Sequence, residues 1–219
     1  MAIFENVHTI IWDWNGTLLN DIDLCIELIN RLLHKRNLSL LNAERYREIF
    51  SFPVKDYYEK VGFDFRQEPF EIPAQEFIDM YNAEVAQCKL HQGAKDILCL
   101  FHEKGKKQII LSAMEQNILE STLHQHQIFK YFDEVSGLDN HYAASKLDNG
   151  KNLIGRLQLN PTEVCLIGDT VHDFEVARAI GCKCILIADG HQSEKRLLET
   201  GSITLNRLQK LVEVIFQER

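Results

Sequence analysis

Short apolar runs alternate with longer amphipathic stretches along most of this sequence, and that alternation restricts the fold more than any other feature. The runs 7–14, 108–112, 135–137, 164–168, 182–188 and, more weakly, 202–205 read as strands. Helical patterns occupy 94–104, 116–125, 149–159, 174–180 and 208–217, with Pro161 and Gly181 where helices should stop. Such an order predicts an α/β core built on a mainly parallel sheet with covering helices. Residues 18–90 break the alternation. They show no convincing strand, only helical segments at 24–35, 43–50, 54–61 and 74–89. A block of about 70 residues is too long for one crossover helix. The expected division is therefore a discontinuous core, 1–17 with 91–219, and an inserted all-α cap, 18–90.

Composition excludes several functional classes. The 219 residues are 45% hydrophobic and 26% charged, which argues against disordered and fibrous chains. A formal net charge of −8 argues against a nucleic-acid or anionic-membrane surface, although a small anionic substrate in a local pocket remains compatible with it. No apolar run approaches the roughly 20 residues needed to span a bilayer, and the N-terminus shows no signal-peptide pattern. The six cysteines contain no CxxC pair and are expected to be buried, structural and reduced, in a cytoplasmic protein. Cys182 and Cys184 share a strand face, but two thiols alone make a poor metal site. The oligomeric state stays open.

In an open parallel sheet, ligands bind at the carboxyl ends of strands near a switch in strand order. Asp13-Trp14-Asn15-Gly16-Thr17 follows the first strand, Ser112-Ala113-Met114 the second, and Gly168-Asp169-Thr170-Val171-His172-Asp173 the fourth. Lys146 lies just before the helical pattern leading to that fourth strand, and Lys151 lies within it. Carboxylates crowded in a cleft with one lysine need a cation. Oxygen ligands select a hard one such as Mg2+, with substrate phosphate and water completing its shell. Asp13 can then act as a nucleophile forming an aspartyl-phosphate. Backbone N–H groups around Trp14–Gly16, the Thr17 and Ser112 hydroxyls and Lys146 are candidates for holding phosphoryl oxygens.

The series D-x-N-G-T, a strand ending in Ser, then Lys, then G-D-T-x-x-D resembles the haloacid dehalogenase-like hydrolase superfamily, most closely its phosphoglycolate-phosphatase-like members with a helical cap. Leu90-His91-Gln92-Gly93 resembles the family's return from cap to core, and Gly190-His191-Gln192-Ser193 its late GH-x-S loop. The resemblance implies a Rossmann-like core and a Mg2+-dependent phosphatase of a small phosphorylated metabolite. It makes Asp13 the nucleophile and a metal ligand, the Asn15 carbonyl and Asp169 further ligands, and Asp173 a holder of metal-bound water or of the loop. Ser112 would bind the phosphoryl group with the backbone N–H of Ala113. Lys146 would neutralise charge shared with Asp13, and it is preferred over Lys151 because it precedes the helical pattern.

Asn15 departs from that family, whose phosphatases usually carry Asp there to protonate the leaving oxygen and activate water. An amide cannot serve as that acid or base, whose contribution is typically ~10²–10⁴ in rate. The expectation is a competent metal and phosphate pocket with slow or altered turnover, below that of Asn15→Asp. Three explanations stay open: a substrate needing little leaving-group protonation, a phosphoryl-ligand binder or regulatory module without turnover, or an introduced Asp→Asn change. Asn-Gly deamidation could also restore a carboxylate in some molecules. Trp14 is expected to pack against the cap, and His172 to be an exposed loop residue. Tyr57 and Tyr58 are expected on an amphipathic cap helix, and Lys104, Lys106 and Lys107 at a solvated helix end.

Overall fold

The computed structural model describes residues 4–138 and 146–217. All six expected strands form one sheet: β1 (Thr9–Trp12), β4 (Lys107–Glu115), β5 (Glu134–Leu138), β6 (Val164–Gly168), β7 (Lys183–Ile187) and β8 (Ile203–Leu205). Their order is β5-β4-β1-β6-β7-β8, and every neighbouring pair is parallel. The chain grows outward from β1 in one direction through β4 and β5, then in the other through β6 to β8. The switch in strand order therefore falls at β1.

The residues of β1 show why this strand is central. Ile10 and Trp12 belong to one apolar cluster, with Ile97, Phe101, Leu119 and Leu211. Ile11 belongs to another, with Leu111, Leu153, Leu166 and Val176. A strand covered on both faces has no position for a solvated side chain, so it reads as a continuous apolar run. The helices supplying those covers are α5 (Ala94–Glu103), α6 (Gln116–Gln125) and α10 (Lys210–Gln217) on one face, and α7 (Lys146–Arg156) and α8 (Val171–Ile180) on the other. A short helix, α9 (Glu194–Leu198), precedes β8.

Between β1 and β4 lie α1 (Ile22–Lys35), α2 (Ala43–Ile49), α3 (Val54–Lys60) and α4 (Glu71–Glu84). These helices have their own apolar cluster, which includes Ile22, Cys25, Ile29, Leu33, Tyr46, Tyr57 and Tyr58. Arg36, which caps the end of α1, reaches Glu76 on α4 at 3.0 Å, tying the two long helices together. The expectation of no strand in 18–90 needs one correction. Leu19–Asn20 (β2) and Lys89–Leu90 (β3) pair antiparallel where the chain leaves and re-enters the sheet region. Two-residue strands are too short to leave a periodic signal.

Other local expectations also change. The helix expected at 149–159 has already begun at Lys146, so this lysine belongs to a helical turn rather than a preceding loop. His172 sits in the first turn of α8 rather than in an exposed loop, with its ring 4.9 Å from Phe52. Trp14 is buried in the sheet cluster, 6.1 Å from the His126 ring, and is not part of the helical block's cluster. Of the basic run, Lys104 caps α5, whereas Lys107 starts β4 and the ammonium of Lys106 donates to the Val7 carbonyl. All six cysteines are free, with Cys25 and Cys165 buried and the other four partly so. No helix among the described residues is long and apolar enough to cross a membrane.

Candidate active site

Three strand ends build the site because β4, β1 and β6 are neighbours. Asp13 follows β1, and its N–H continues the ladder to the Ile167 carbonyl at 2.9 Å. The chain then turns sharply, with the N–H groups of Leu18 and Leu19 both donating to the Trp14 carbonyl. Gly16 makes the turn feasible at φ +76°, and a Cβ there would stand 2.3 Å from Asp169 Oδ2. Gly190 is crowded by the same group, since its Cβ would lie 2.1 Å from that oxygen.

Asp13, Asp169 and Asp173 are all buried and present carboxylate oxygens within 4.8 Å of one another. The Lys146 ammonium bonds Asp13 Oδ1 and lies 2.6 Å from Asp173 Oδ1. Lys151 is exposed on α7, away from this cluster. The Thr17 hydroxyl lies 3.2 Å from Asp13 Oδ2 and 3.1 Å from Asp169 Oδ1, a single donor shared by two anions. Asp169 Oδ2 also accepts from the His191 N–H at 2.6 Å. Asp173 has two duties. Its Oδ2 accepts from the Thr170 N–H and hydroxyl in a capping box that starts α8, leaving Oδ1 for Lys146.

Charge does not balance in this cluster. Burial raises Asp13 to about 6 against the pull of Lys146, and raises Asp169 well above the carboxylate range. At Asp173 burial opposes, but Lys146 and Thr170 prevail and hold the group low. Lys146 is itself raised despite burial by its two carboxylate partners. Three carboxylates with one ammonium, all withdrawn from water, form an oxygen-only donor set suited to a hard divalent cation.

Ser112 and Asn15 face each other across the cluster's edge. The Ser112 hydroxyl lies 3.4 Å from Asn15 Oδ1 and accepts from the Met114 N–H at 3.1 Å. Ala113 beside it is exposed. The irregularity in the β4–β5 register between Leu111 and Glu115 brings this segment out of the regular ladder. A surface cavity of about 710 Å3 opens between α2 and α9, yet it contains none of these residues. The carboxylate cluster is instead buried at the strand ends.

A second buried cluster adjoins the first, and the sequence motifs did not announce it. Asp21 Oδ1 accepts from the Gly16 N–H at 2.9 Å, and its Oδ2 accepts from Asn15 Nδ2 at 3.0 Å and the Tyr81 hydroxyl at 2.6 Å. His191 Nε2 stands 3.3 Å from Asp21 Oδ1, while its Nδ1 meets the Tyr46 hydroxyl at 3.0 Å. These donors hold Asp21 at about 2 although burial opposes them, and the anions around His191 raise it to about 9 against its own desolvation. Tyr81 comes from α4 and Tyr46 from α2, so the helical block reaches the strand ends through this cluster. The motifs marked its Asn15, Gly16 and His191, but not Asp21, Tyr46 or Tyr81.

Comparison with known proteins agrees with this architecture. Residues 10–187 match the family model described as haloacid dehalogenase-like hydrolase. The pyrophosphatase PpaX of Anoxybacillus flavithermus is 27% identical over 84% of each chain. A phosphoglycolate phosphatase of Chromobacterium violaceum is 20% identical over 96% of this chain and 97% of its own. A haloacid dehalogenase-like hydrolase structure from Streptococcus pneumoniae superposes with a TM-score of 0.80 at 20% identity, covering 95% of this chain and 98% of that one. The chain belongs to the haloacid dehalogenase-like hydrolase family, in its phosphoglycolate-phosphatase-like branch.

Proposed function

We propose that the protein is a Mg2+-dependent phosphatase of a small phosphate monoester, acting through an aspartyl-phosphate on Asp13. The observation that carries this reading is the Asp13 carboxylate at the strand-order switch, bonded by Lys146 and within 4.8 Å of two further carboxylates. Asp13, the Asn15 carbonyl and Asp169 would hold the cation, with Asp173 behind them. Bound there, the cation would neutralise the excess anions and polarise the phosphoryl group.

This chain's residues account for the rest. One Asp13 oxygen attacks phosphorus in line, the P–O bond to the leaving group breaks, and the phosphoryl group passes to Asp13. Thr17, Ser112, the Ala113 N–H and Lys146 would receive its oxygens. Water then attacks the aspartyl-phosphate, releasing inorganic phosphate and restoring the carboxylate. The leaving oxygen needs a proton and that water needs a base, and Asn15 supplies neither. Turnover is therefore slow, or favours leaving groups stable as anions. Relatives named as phosphoglycolate phosphatase and pyrophosphatase set the class to assay first, and a cytoplasmic site of action fits six free cysteines.

Asn15 also supports a second reading, a phosphoryl-ligand binder or regulatory module without turnover. Release of phosphate from a metabolite panel, measured with and without Mg2+ beside Asp13→Asn, separates the two. The phosphatase reading requires Mg2+-dependent release that Asp13→Asn abolishes. Binding of a phosphate ester without any release by the wild type would favour the binder.

A further inference from the structure

Asn15 brings no acid or base to the site, but its surroundings explain why an amide stands there. Both amide hydrogens are committed: Nδ2 donates to Asp21 Oδ2 at 3.0 Å and to the Tyr81 hydroxyl at 2.6 Å. The orientation follows from chemistry, because a carboxylate accepts only and a flipped amide would set two oxygens against each other. Tyr81 in turn donates to Asp21, closing a triangle. What remains of the Asn15 side chain is an acceptor oxygen turned toward Ser112.

We propose that Asp21 is a positioning residue for this site: joined to the helical block through Tyr81 and through His191 to Tyr46, it fixes the Asn15 oxygen toward Ser112 and makes an amide, not a second carboxylate, the group that position 15 accepts. A carboxylate at residue 15, itself partly buried, would place two anions within about hydrogen-bond distance, one of them the fully buried Asp21. The Asn15 oxygen can accept a hydrogen bond from water but cannot offer a proton to a leaving group. Asp21, Cys25 and His191 also have ligand atoms within 4.8 Å of one another. The donors already on Asp21 account for its charge without a metal ion, so the cluster is a hydrogen-bond network. The kinetic consequences rest on the phosphatase reading; the stability consequences do not.

Two consequences follow for the expectation that Asn15→Asp simply raises turnover. Alone, that substitution sets a carboxylate at position 15 against the carboxylate of Asp21. Paired with Asp21→Asn, it reverses the hydrogen bond and leaves one carboxylate facing the reaction centre. The test compares wild type, Asn15→Asp, Asp21→Asn, the double variant and Tyr81→Phe by thermal unfolding at pH 7.5 and by Mg2+-dependent hydrolysis of p-nitrophenyl phosphate. Asn15→Asp is expected to lower Tm by roughly 5–10 °C, and the double variant to recover most of that loss. The double variant should exceed Asn15→Asp in kcat by about tenfold or more, with KM little changed. Tyr81→Phe, which frees one amide hydrogen without moving a charge, should change kcat rather than KM.

The proposal is overturned if Asn15→Asp is as stable as wild type, or if the double variant is no more stable than the two single effects added together. A Tyr81→Phe variant with unaltered kcat also contradicts it. No hydrolysis by any protein would count against the phosphatase reading, while the unfolding data would still decide the role of Asp21.

Discussion

Two buried carboxylate clusters lie side by side in this protein and solve the same electrostatic problem in opposite ways. Around Asp21, one anion receives a backbone N–H, an amide, a tyrosine hydroxyl and a histidine, and it is held low at about 2. Around Asp13, three anions share Lys146 and a few hydroxyl and N–H donors, and Asp13 rises to about 6. Asp13 and Asp21 are both buried, and the donors and cations available to each charge separate them. The first cluster is complete as it stands. The second carries more carboxylates than cations, as the reaction centre proposed above would before a divalent cation enters it.

The largest effect should separate the clusters by chemistry. Asp13→Asn is expected to lower kcat by about 10⁴ or more without altering the circular dichroism spectrum, because it removes the nucleophile. Residual turnover within tenfold of wild type would place the nucleophile elsewhere. Next comes Gly16, whose backbone passes against Asp169 at φ +76°. Gly16→Ala adds a steric conflict to left-handed strain and should lower Tm by roughly 10 °C. Gly201 has a similar φ of +73° with nothing within 4 Å of its Cβ position. Gly201→Ala should therefore cost only a few degrees, from strain alone at about 1–2 kcal/mol. Equal Tm losses in the two variants would show that crowding at Asp169 contributes nothing.

A metal titration sharpens the comparison further. Mg2+ at a hundred times its Kd should stabilise the wild type by about 2.7 kcal/mol, or roughly 5–10 °C in Tm, and EDTA should reverse the shift. Asp169→Asn should abolish that response and Tyr81→Phe should retain it, since the Tyr81 hydroxyl bonds Asn15 and Asp21 and none of the three clustered carboxylates. Tyr81→Phe should itself be less stable than the wild type. Losing its donation to the charged Asp21, and its acceptance from Asn15, should cost about 1.5–3 kcal/mol, readable as a shift in urea midpoint with an unchanged slope.

Legibility in the sequence follows the length scale of each interaction. The inner strands β1, β4, β6 and β7 are readable because burial makes each largely a run of apolar residues, as at Ile10, Ile11 and Trp12, whereas the edge strands β5 and β8 are only partly buried. Asp13, Ser112 and Asp169 are readable because each ends or directly follows such a run. The β2–β3 pair is not, since two residues carry no period. The Asp21 cluster is not either. It collects residues 15, 16, 21, 81 and 191 from separate turns and helices, with no spacing to announce it. The choice of Lys146 over Lys151 rested on a loop position that the structure replaces with a helical turn. Burial and the contacts with Asp13 and Asp173, not the element type, distinguish that lysine.

By itself, then, the sequence determined a parallel α/β core, a helical block between its first two long strands, and the strand ends where carboxylates and hydroxyls gather. Periodicity and strand-end chemistry are local, so one chain suffices to read them. Tertiary structure decided what those groups face. It set two carboxylates on one ammonium with a third beside them, turned Asn15 toward Ser112, and placed Asp21 and Tyr81 behind it. Those outcomes depend on distances between segments remote in the chain, and electrostatic energies in a buried site change steeply over a few ångströms.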